Sequence, residues 1–478
     1  MSPAGAPLPD AEILAALKAT TRQLINAMKA DGRLAESPLD LAMKRTVTLH
    51  RDAALARLAG KRVLVTGGAG SVGTRLRTLL GEFKPASIHS LDIAPHHGPG
   101  IGMQVDVCDA AGLDAAFAEA RPDVVFHLAG VREPGRAEQV VRDAVGTNVY
   151  GTDNVIAACI KHNVSHAVYS STGKCYAYIT DHVYTASKKL AEMLWTRAAR
   201  KDSPTAFAMV RFTHVMDNSL VLQDIREGMQ NGLVSLHGPD RHFNIQNLVQ
   251  ATHLLINALA LAGEQAPDSF WSTADLGWPV NSLELALYEM GDNDAALRFT
   301  GVPMGYDEYF FRGQFDWSGD YEMHPLVNAL EMPSSFSDST GTMIGARVQT
   351  CPDAVLDREL ARLRLVLDSQ AEDALQKVKP ALIQAVEAIA SGIFSTTSPR
   401  RLLDVLSWGL AESAPGNSSA VARFPRVVAL LTDALLAAQP AANFKNDRAA
   451  TDNIAGIAAA LADTPHLARF AQRLVSAT

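Results

Sequence analysis

The sequence predicts an α/β protein: a Rossmann-type doubly wound parallel sheet carrying a small α/β lobe, with a helical arm before it and a helical extension after it. Three observations predict this. Short apolar runs alternate with helical patterns between residues 61 and 335. The first run ends in a glycine-rich turn that opens a helix. The flanking stretches 1–60 and 336–478 show helical periodicity and no strand pattern.

Bulk properties set the frame. At 478 residues the chain is too long for one compact unit, and 47% hydrophobic content allows a sizeable core. The net charge of −8, with no clustered Lys or Arg, speaks against a nucleic-acid partner. Cys108, Cys159, Cys175 and Cys351 form no CxxC pair, and no His, Cys or carboxylate spacing suggests a metal. The start, MSPAGAPLPDAEI, lacks a basic region followed by an apolar run, and no stretch reaches the ~18 apolar residues a membrane helix needs. The expectation is a soluble, cytoplasmic protein acting on a small molecule.

Each region follows from its pattern. In residues 1–60, Ile13, Leu14, Leu17, Leu24, Ile25 and Met28 recur at helical spacing, which predicts a cap or an oligomerisation arm. In residues 61–335 the runs RVLVTG, SIHSLD, DVVFHLAG, HAVYSS and AFAMVRF each end near Gly, Asp or Ser, and helical patterns lie between them. Strand and helix in alternation imply a parallel sheet covered on both faces. From 336 a polar joint, SSFSDSTGTMIG, leads into an Ala/Leu-rich stretch with breaks at STTSPRR, ESAPGNSS and AAQPAANF, predicting a bundle of five or six helices.

The first turn predicts a dinucleotide. Gly67, Gly70 and Gly73 lie three apart between an apolar strand and a helix start that includes Ser71 and Val72. Such a turn lets the backbone approach a pyrophosphate and aims free N–H groups at it. Asp92 ends the next strand, where a carboxylate binds ribose hydroxyls and repels a 2′-phosphate. This favours NAD, with NADP as the alternative because Arg75 and Arg77 lie in the first helix. Asp106 with Val107, then Leu128, Ala129 and Gly130, end the following strands on the cofactor side, and Asn148 opens the helix after them.

The densest chemistry lies at 166–194. Tyr184 and Lys188 are spaced one helical turn apart on one face. An ammonium beside a phenol eases proton exchange with a substrate hydroxyl, and the same Lys188 is placed to hold the nicotinamide ribose. Ser171 and Thr172 end the preceding strand and offer hydroxyls to orient a substrate oxygen.

These segments resemble the extended short-chain dehydrogenase/reductases. TGGAGSVG, HLAG (127–130), GTNVYGT (146–152) and YTASK carry the resemblance. It narrows to the polysaccharide-biosynthesis branch, the UDP-N-acetylglucosamine 4,6-dehydratase-like and nucleotide-sugar epimerase-like proteins. SSTGK (170–174) is similar to that branch's STDK, VRFTHV (210–215) to RYGNV, HGPDRHFN (237–244) to HPDMTRFF, ADLGWPV (274–280) to DMGEPV, and RFTGVPMGYDE (298–308) to FTGLRPGEK. The resemblance covers about residues 61–330. It implies an NAD(P)-dependent sugar or nucleotide-sugar epimerase or dehydratase and a homo-oligomer, with no nucleic acid and no membrane involved. Lys174 reads as a proton-transfer base or a surface cation, Arg132 and Arg241 as grips for a substrate phosphate or carboxylate or as solvated charges, and His214 as a packing histidine with substrate contact as the alternative.

The departures matter as much. Gly173 stands where the family carries the Asp of STDK, so simple 4,6-dehydration loses an acid. Pro303 replaces the Arg of RPGEK, and Tyr306 and Asp307 replace its Glu-Lys pair, which removes cations that would meet a diphosphate. Two alternatives therefore stand beside the leading reading: a plain dehydrogenase or ketoreductase on a non-nucleotide substrate, and a cofactor-binding scaffold or sensor.

Overall fold

The computed structural model describes residues 10–218, 220–307, 309–371, 374–411, 420–438 and 448–462, with Ala468 and Gln472. The strands are short apolar runs because both their faces are covered. β1 (Arg62–Thr66), β2 (Ser87–Asp92), β3 (Ile101–Gln104), β4 (Val124–His127), β5 (His166–Thr172) and β6 (Ala206–Phe212) lie parallel in the order β3-β2-β1-β4-β5-β6. Ser269–Thr273 continues beyond β6, and Met343–Arg347 and Phe336–Ser337 close that edge antiparallel. The stretch read as a polar joint is thus partly the hairpin that finishes the sheet. Strand order reverses between β1 and β4, and the crevice outside their carboxyl ends is where such sheets take ligands.

Three cores hold the molecule. On one face of the sheet, Leu64, Val125 and Phe270 share a core with the helix Val183–Arg200 and with Leu382, Val386 and Phe394 of the helical extension. On the other face, Val63, Val65 and Phe126 pack with Leu76, Leu254 and Leu259, and with Val47 and Leu58 of the arm. The third core lies in the lobe, where Ile25 and Met28 of the arm meet Met216, Ile225, Val234 and Leu285.

The arm is therefore a strap across lobe and sheet. Its first helix, Ala11–Ala30, starts at an Asp10 cap and buries Ile25 and Met28 while Ile13 stays exposed. Arg22 donates to the Gly291 and Asn293 carbonyls at 2.9 Å each. Further along, Asn247 and Asn257 of the core donate to the Ala42, Arg45 and Thr48 carbonyls. The extension supplies helices Asp353–Asp368, Ala374–Thr396, Pro399–Leu410, Pro425–Ala438 and Arg448–Ala462, with a single turn at Ala420–Arg423. The predicted break ESAPGNSS and most of AAQPAANF lie outside the described residues.

Between sheet and extension sits a buried ionic cluster. Arg211 ends β6 at 1% exposure, between Glu192 and Glu331. Its Nη2 donates to Glu192 Oε1 at 2.5 Å and to Glu331 Oε1 at 2.6 Å. Burial pushes the Glu192 carboxyl up, but the Arg211 guanidinium outweighs it and holds the group below its ordinary value.

Candidate functional site

The glycine turn is built as its spacing predicts. Gly67 has φ +69°, a left-handed backbone that favours glycine. A Cβ there would come 2.6 Å from Ala129 N and 2.7 Å from the Leu128 carbonyl carbon, so Leu128 and Ala129 of the β4 loop close directly on the turn. A Cβ on Gly73 would strike the Gly67 carbonyl oxygen and lie 2.8 Å from Gly68 Cα. Gly70 precedes the helix Ser71–Leu80, which carries no side-chain cap. Helices Ala110–Ala120 and Ser282–Met290 are by contrast capped by Asp109 and Asn281. An uncapped first turn at Ser71, Val72 and Gly73, beside a cradle too tight for a side chain, fits a pyrophosphate. Gly73→Ala should weaken NAD binding roughly 10-fold or more, about 1.4 kcal/mol, in a calorimetric titration.

Asp92 faces this turn. Its Oδ2 accepts from Ala69 N at 2.9 Å and its Oδ1 from Ala94 N at 3.0 Å, and each oxygen keeps a second acceptor position. Arg77 is fully buried and spent within the protein. It donates to the carbonyls of Gly68 (3.1 Å), His97 (2.6 Å) and Pro99, and lies 3.3 Å from His96 Nδ1 and 3.5 Å from Thr74 Oγ1. It pins the 96–99 loop to the turn and has no donor to spare for a 2′-phosphate. Asp106 is exposed and accepts from Cys108 N at 2.9 Å, whereas the Val107 side chain is buried against Gly151.

Asn148 sits in a π-helical stretch, Gly146–Gly151, and is 1% exposed. Its Oδ1 accepts from Val131 N at 2.8 Å, and its Nδ2 donates to Val131 O and to Ser187 Oγ. That amide ties the loop after Gly130 to the helix bearing Tyr184, with both of its Nδ2 donors engaged.

Tyr184 and Lys188 lie one turn apart on the helix Val183–Arg200, beside the end of β5. Lys188 is 7% exposed, donates to Ser170 O at 2.8 Å, and has its Nζ 4.3 Å from the centre of the Tyr169 ring. Burial lowers its ammonium to about 8. Tyr169 belongs to a buried stack with His127 (5.4 Å) and Trp195 (5.1 Å). Sequence reasoning missed Tyr169; its two-residue offset from Ser171 in β5 was the available signal.

Successive strand residues face opposite ways, and this separates the two hydroxyls. Ser171 is 3% exposed and donates to Glu192 Oε2 at 2.6 Å, so it belongs to the Arg211 cluster. Thr172 caps the short turn Gly173–Tyr176, its Oγ1 accepting from Lys174 N at 3.4 Å.

The His214 residue is exposed, its ring 5.3 Å from the Phe243 ring. Its enclosure by protein first, then the Lys174 and Arg132 charges, lower it to about 4, so it is neutral at neutral pH. Arg241 donates to Tyr306 O at 2.5 Å. Leu326 fills the space beside Gly173, its Cγ 3.0 Å from where a Cβ would stand. The residue type and the room for the family's Asp are both gone.

Comparison with known proteins agrees with this geometry. The family model described as "Polysaccharide biosynthesis protein" matches residues 63–287. That match supports placing residues 63–287 with the polysaccharide-biosynthesis branch of the extended short-chain dehydrogenase/reductases. The probable polysaccharide biosynthesis protein EpsC of Bacillus subtilis (strain 168) is 29% identical over 293 residues, 56% of this chain and 48% of EpsC. The chain thus spans about half the length of that relative. A UDP-glucose 4-epimerase of Rickettsia conorii is 26% identical over 270 residues, 52% of this chain and 76% of the epimerase. The X-ray structure of Pen from Bacillus thuringiensis aligns with a TM-score of 0.52 at 22% identity, covering 61% of this chain and 87% of Pen, and supports the fold. The extended short-chain dehydrogenase/reductase core ends before the helical extension, which no part of the family match reaches.

Proposed function

We propose that the protein is an NAD-dependent oxidoreductase of the epimerase kind acting on a sugar nucleotide. The observation that carries this reading is Tyr184 and Lys188 on one helix face at the end of β5, one strand from the glycine-turn crevice. Gly67, Gly70 and Gly73 with the uncapped helix would hold the pyrophosphate, Asp92 the adenosine ribose, and Lys188 the nicotinamide ribose. The bound dinucleotide supplies a reversible hydride acceptor.

The residues then divide the work. Tyr184, as the phenolate that the Lys188 ammonium stabilises, takes the proton of the substrate hydroxyl as its carbon is oxidised. Thr172 hydrogen-bonds the same oxygen. Lys174 serves as the base toward the carbon next to the new carbonyl, whose C–H the carbonyl acidifies. Arg132 and Arg241 meet the anionic end of the substrate. Eliminating water would need an acid at 173, where glycine and Leu326 leave none. Oxidation and re-reduction without dehydration is therefore favoured.

The test is native mass spectrometry for retained NAD, followed by proton NMR of UDP-hexoses incubated with the protein. An epimer without a 6-deoxy-4-keto product supports the reading, and a 6-deoxy-4-keto sugar refutes its central distinction. The pH dependence has a definite sign. With Lys188 near 8, the ammonium is lost as pH rises, so turnover should decline above about pH 8 and recover on returning to pH 7. Lys188→Arg, charged throughout, should show no such alkaline fall at whatever activity it retains.

A further inference from the structure

The first turn of the helix Val183–Arg200 has no cap of its own, because His182 at its start makes no side-chain cap. The missing acceptor comes from elsewhere. Glu138, on the helix Pro134–Gln139, accepts from Val183 N at 2.8 Å through Oε1. Its other oxygen, Oε2, accepts from Lys379 Nζ at 2.6 Å, and Lys379 belongs to the extension helix Ala374–Thr396. The Glu138 side chain is 6% exposed and that of Lys379 27%.

Two further contacts grip residues 181 and 182. Asp181 pairs with Arg426 of the extension, which also reaches Glu387. His182 pairs with Asp307 at 2.8 Å, in the segment where the family's Glu-Lys is replaced. Four separate elements thus converge on residues 181–183, directly before Tyr184.

We propose that Glu138 and Lys379 are positioning residues for Tyr184, so that the helical extension is a working part of the active site rather than an appendage. This rests on Tyr184 being the proton-transfer group. A buried carboxylate needs both its partners. Without Lys379 it takes up a proton or turns to water, and Val183 N loses its acceptor. The first turn then frays, and Tyr184 sits in it. Misplacement of about 1 Å at a reacting group costs roughly 100-fold in rate.

The test uses the full chain with NAD present and compares the parent with Lys379→Met, Lys379→Arg and Glu138→Ala. Amide hydrogen exchange resolved at Val183 should be at least tenfold faster in Lys379→Met and Glu138→Ala, and parental in Lys379→Arg. Turnover of the sugar nucleotide identified for the parent should fall roughly 10- to 100-fold in the first two, with KM within about twofold, and return in Lys379→Arg. Parental exchange and turnover in Lys379→Met, with the same thermal midpoint, would overturn the proposal. So would an equal loss in Lys379→Arg. If the parent turns over no sugar nucleotide, the functional reading fails by itself, and Val183 exchange still decides whether Lys379 holds Glu138 in place.

Discussion

Tyr184→Phe should lose catalysis by on the order of 10²–10⁴-fold while NAD binding and the thermal midpoint stay at parental values. The Tyr184 oxygen, as phenolate, is the group on this helix face proposed to accept a proton from a substrate hydroxyl, and Phe keeps its shape and packing. Binding should survive because the proposed cradle lies elsewhere, at the turn from Gly67 to Gly73, Asp92 and Lys188. Steady-state turnover beside a calorimetric NAD titration separates the two effects. A variant with undiminished turnover would remove Tyr184 from the chemistry.

The second large effect is on stability. Arg211→Met should cost about 3–5 kcal/mol, a large share of the roughly 5–15 kcal/mol of a typical domain. Arg211 lies between Glu192 and Glu331, each about 1–2% exposed, and stacks over the Phe270 ring at 3.8 Å. Removing it leaves two buried carboxylates facing one another, and a Met of similar length restores apolar packing but no charge. At least one of them must then take up a proton, so the loss should shrink as pH falls toward the carboxylate range. Urea midpoints of parent and variant at pH 7 and pH 5 measure this. An unchanged midpoint at pH 7 would mean that the cluster contributes nothing to the fold.

The parts of the site written into contiguous sequence were legible. Gly67, Gly70 and Gly73 with Asp92 describe a strand, turn, helix and strand whose spacing is set by backbone geometry, and Tyr184 with Lys188 describes one helical turn. Lys174, Arg132 and His214 were named separately, and in the fold the first two charges bear on the His214 ring. What was not legible depends on contacts across long separations. Ser171 and Thr172 were indistinguishable as adjacent hydroxyls, because alternation along β5 says that they face opposite ways but not which faces the cleft. The partner of Ser171, Glu192, lies on the next helix. The arm's apolar spacing announced a helix but not that its partners would be the lobe, and Lys379 looks like any solvated lysine until Glu138 is beside it. The hairpin at 336–347 was hidden because its Ser, Thr and Gly read as a joint, while its pairing partner, Ser269–Thr273, lies far upstream.

The most direct test of the central claim mixes NAD-loaded protein rapidly with a panel of UDP-hexoses and follows the near-ultraviolet absorbance of reduced nicotinamide. The geometry around Tyr184 and Lys188 predicts a transient rise and return within one turnover, absent in Tyr184→Phe, with no reduced cofactor released. A steady accumulation of free NADH, or the same transient in Tyr184→Phe, would contradict it.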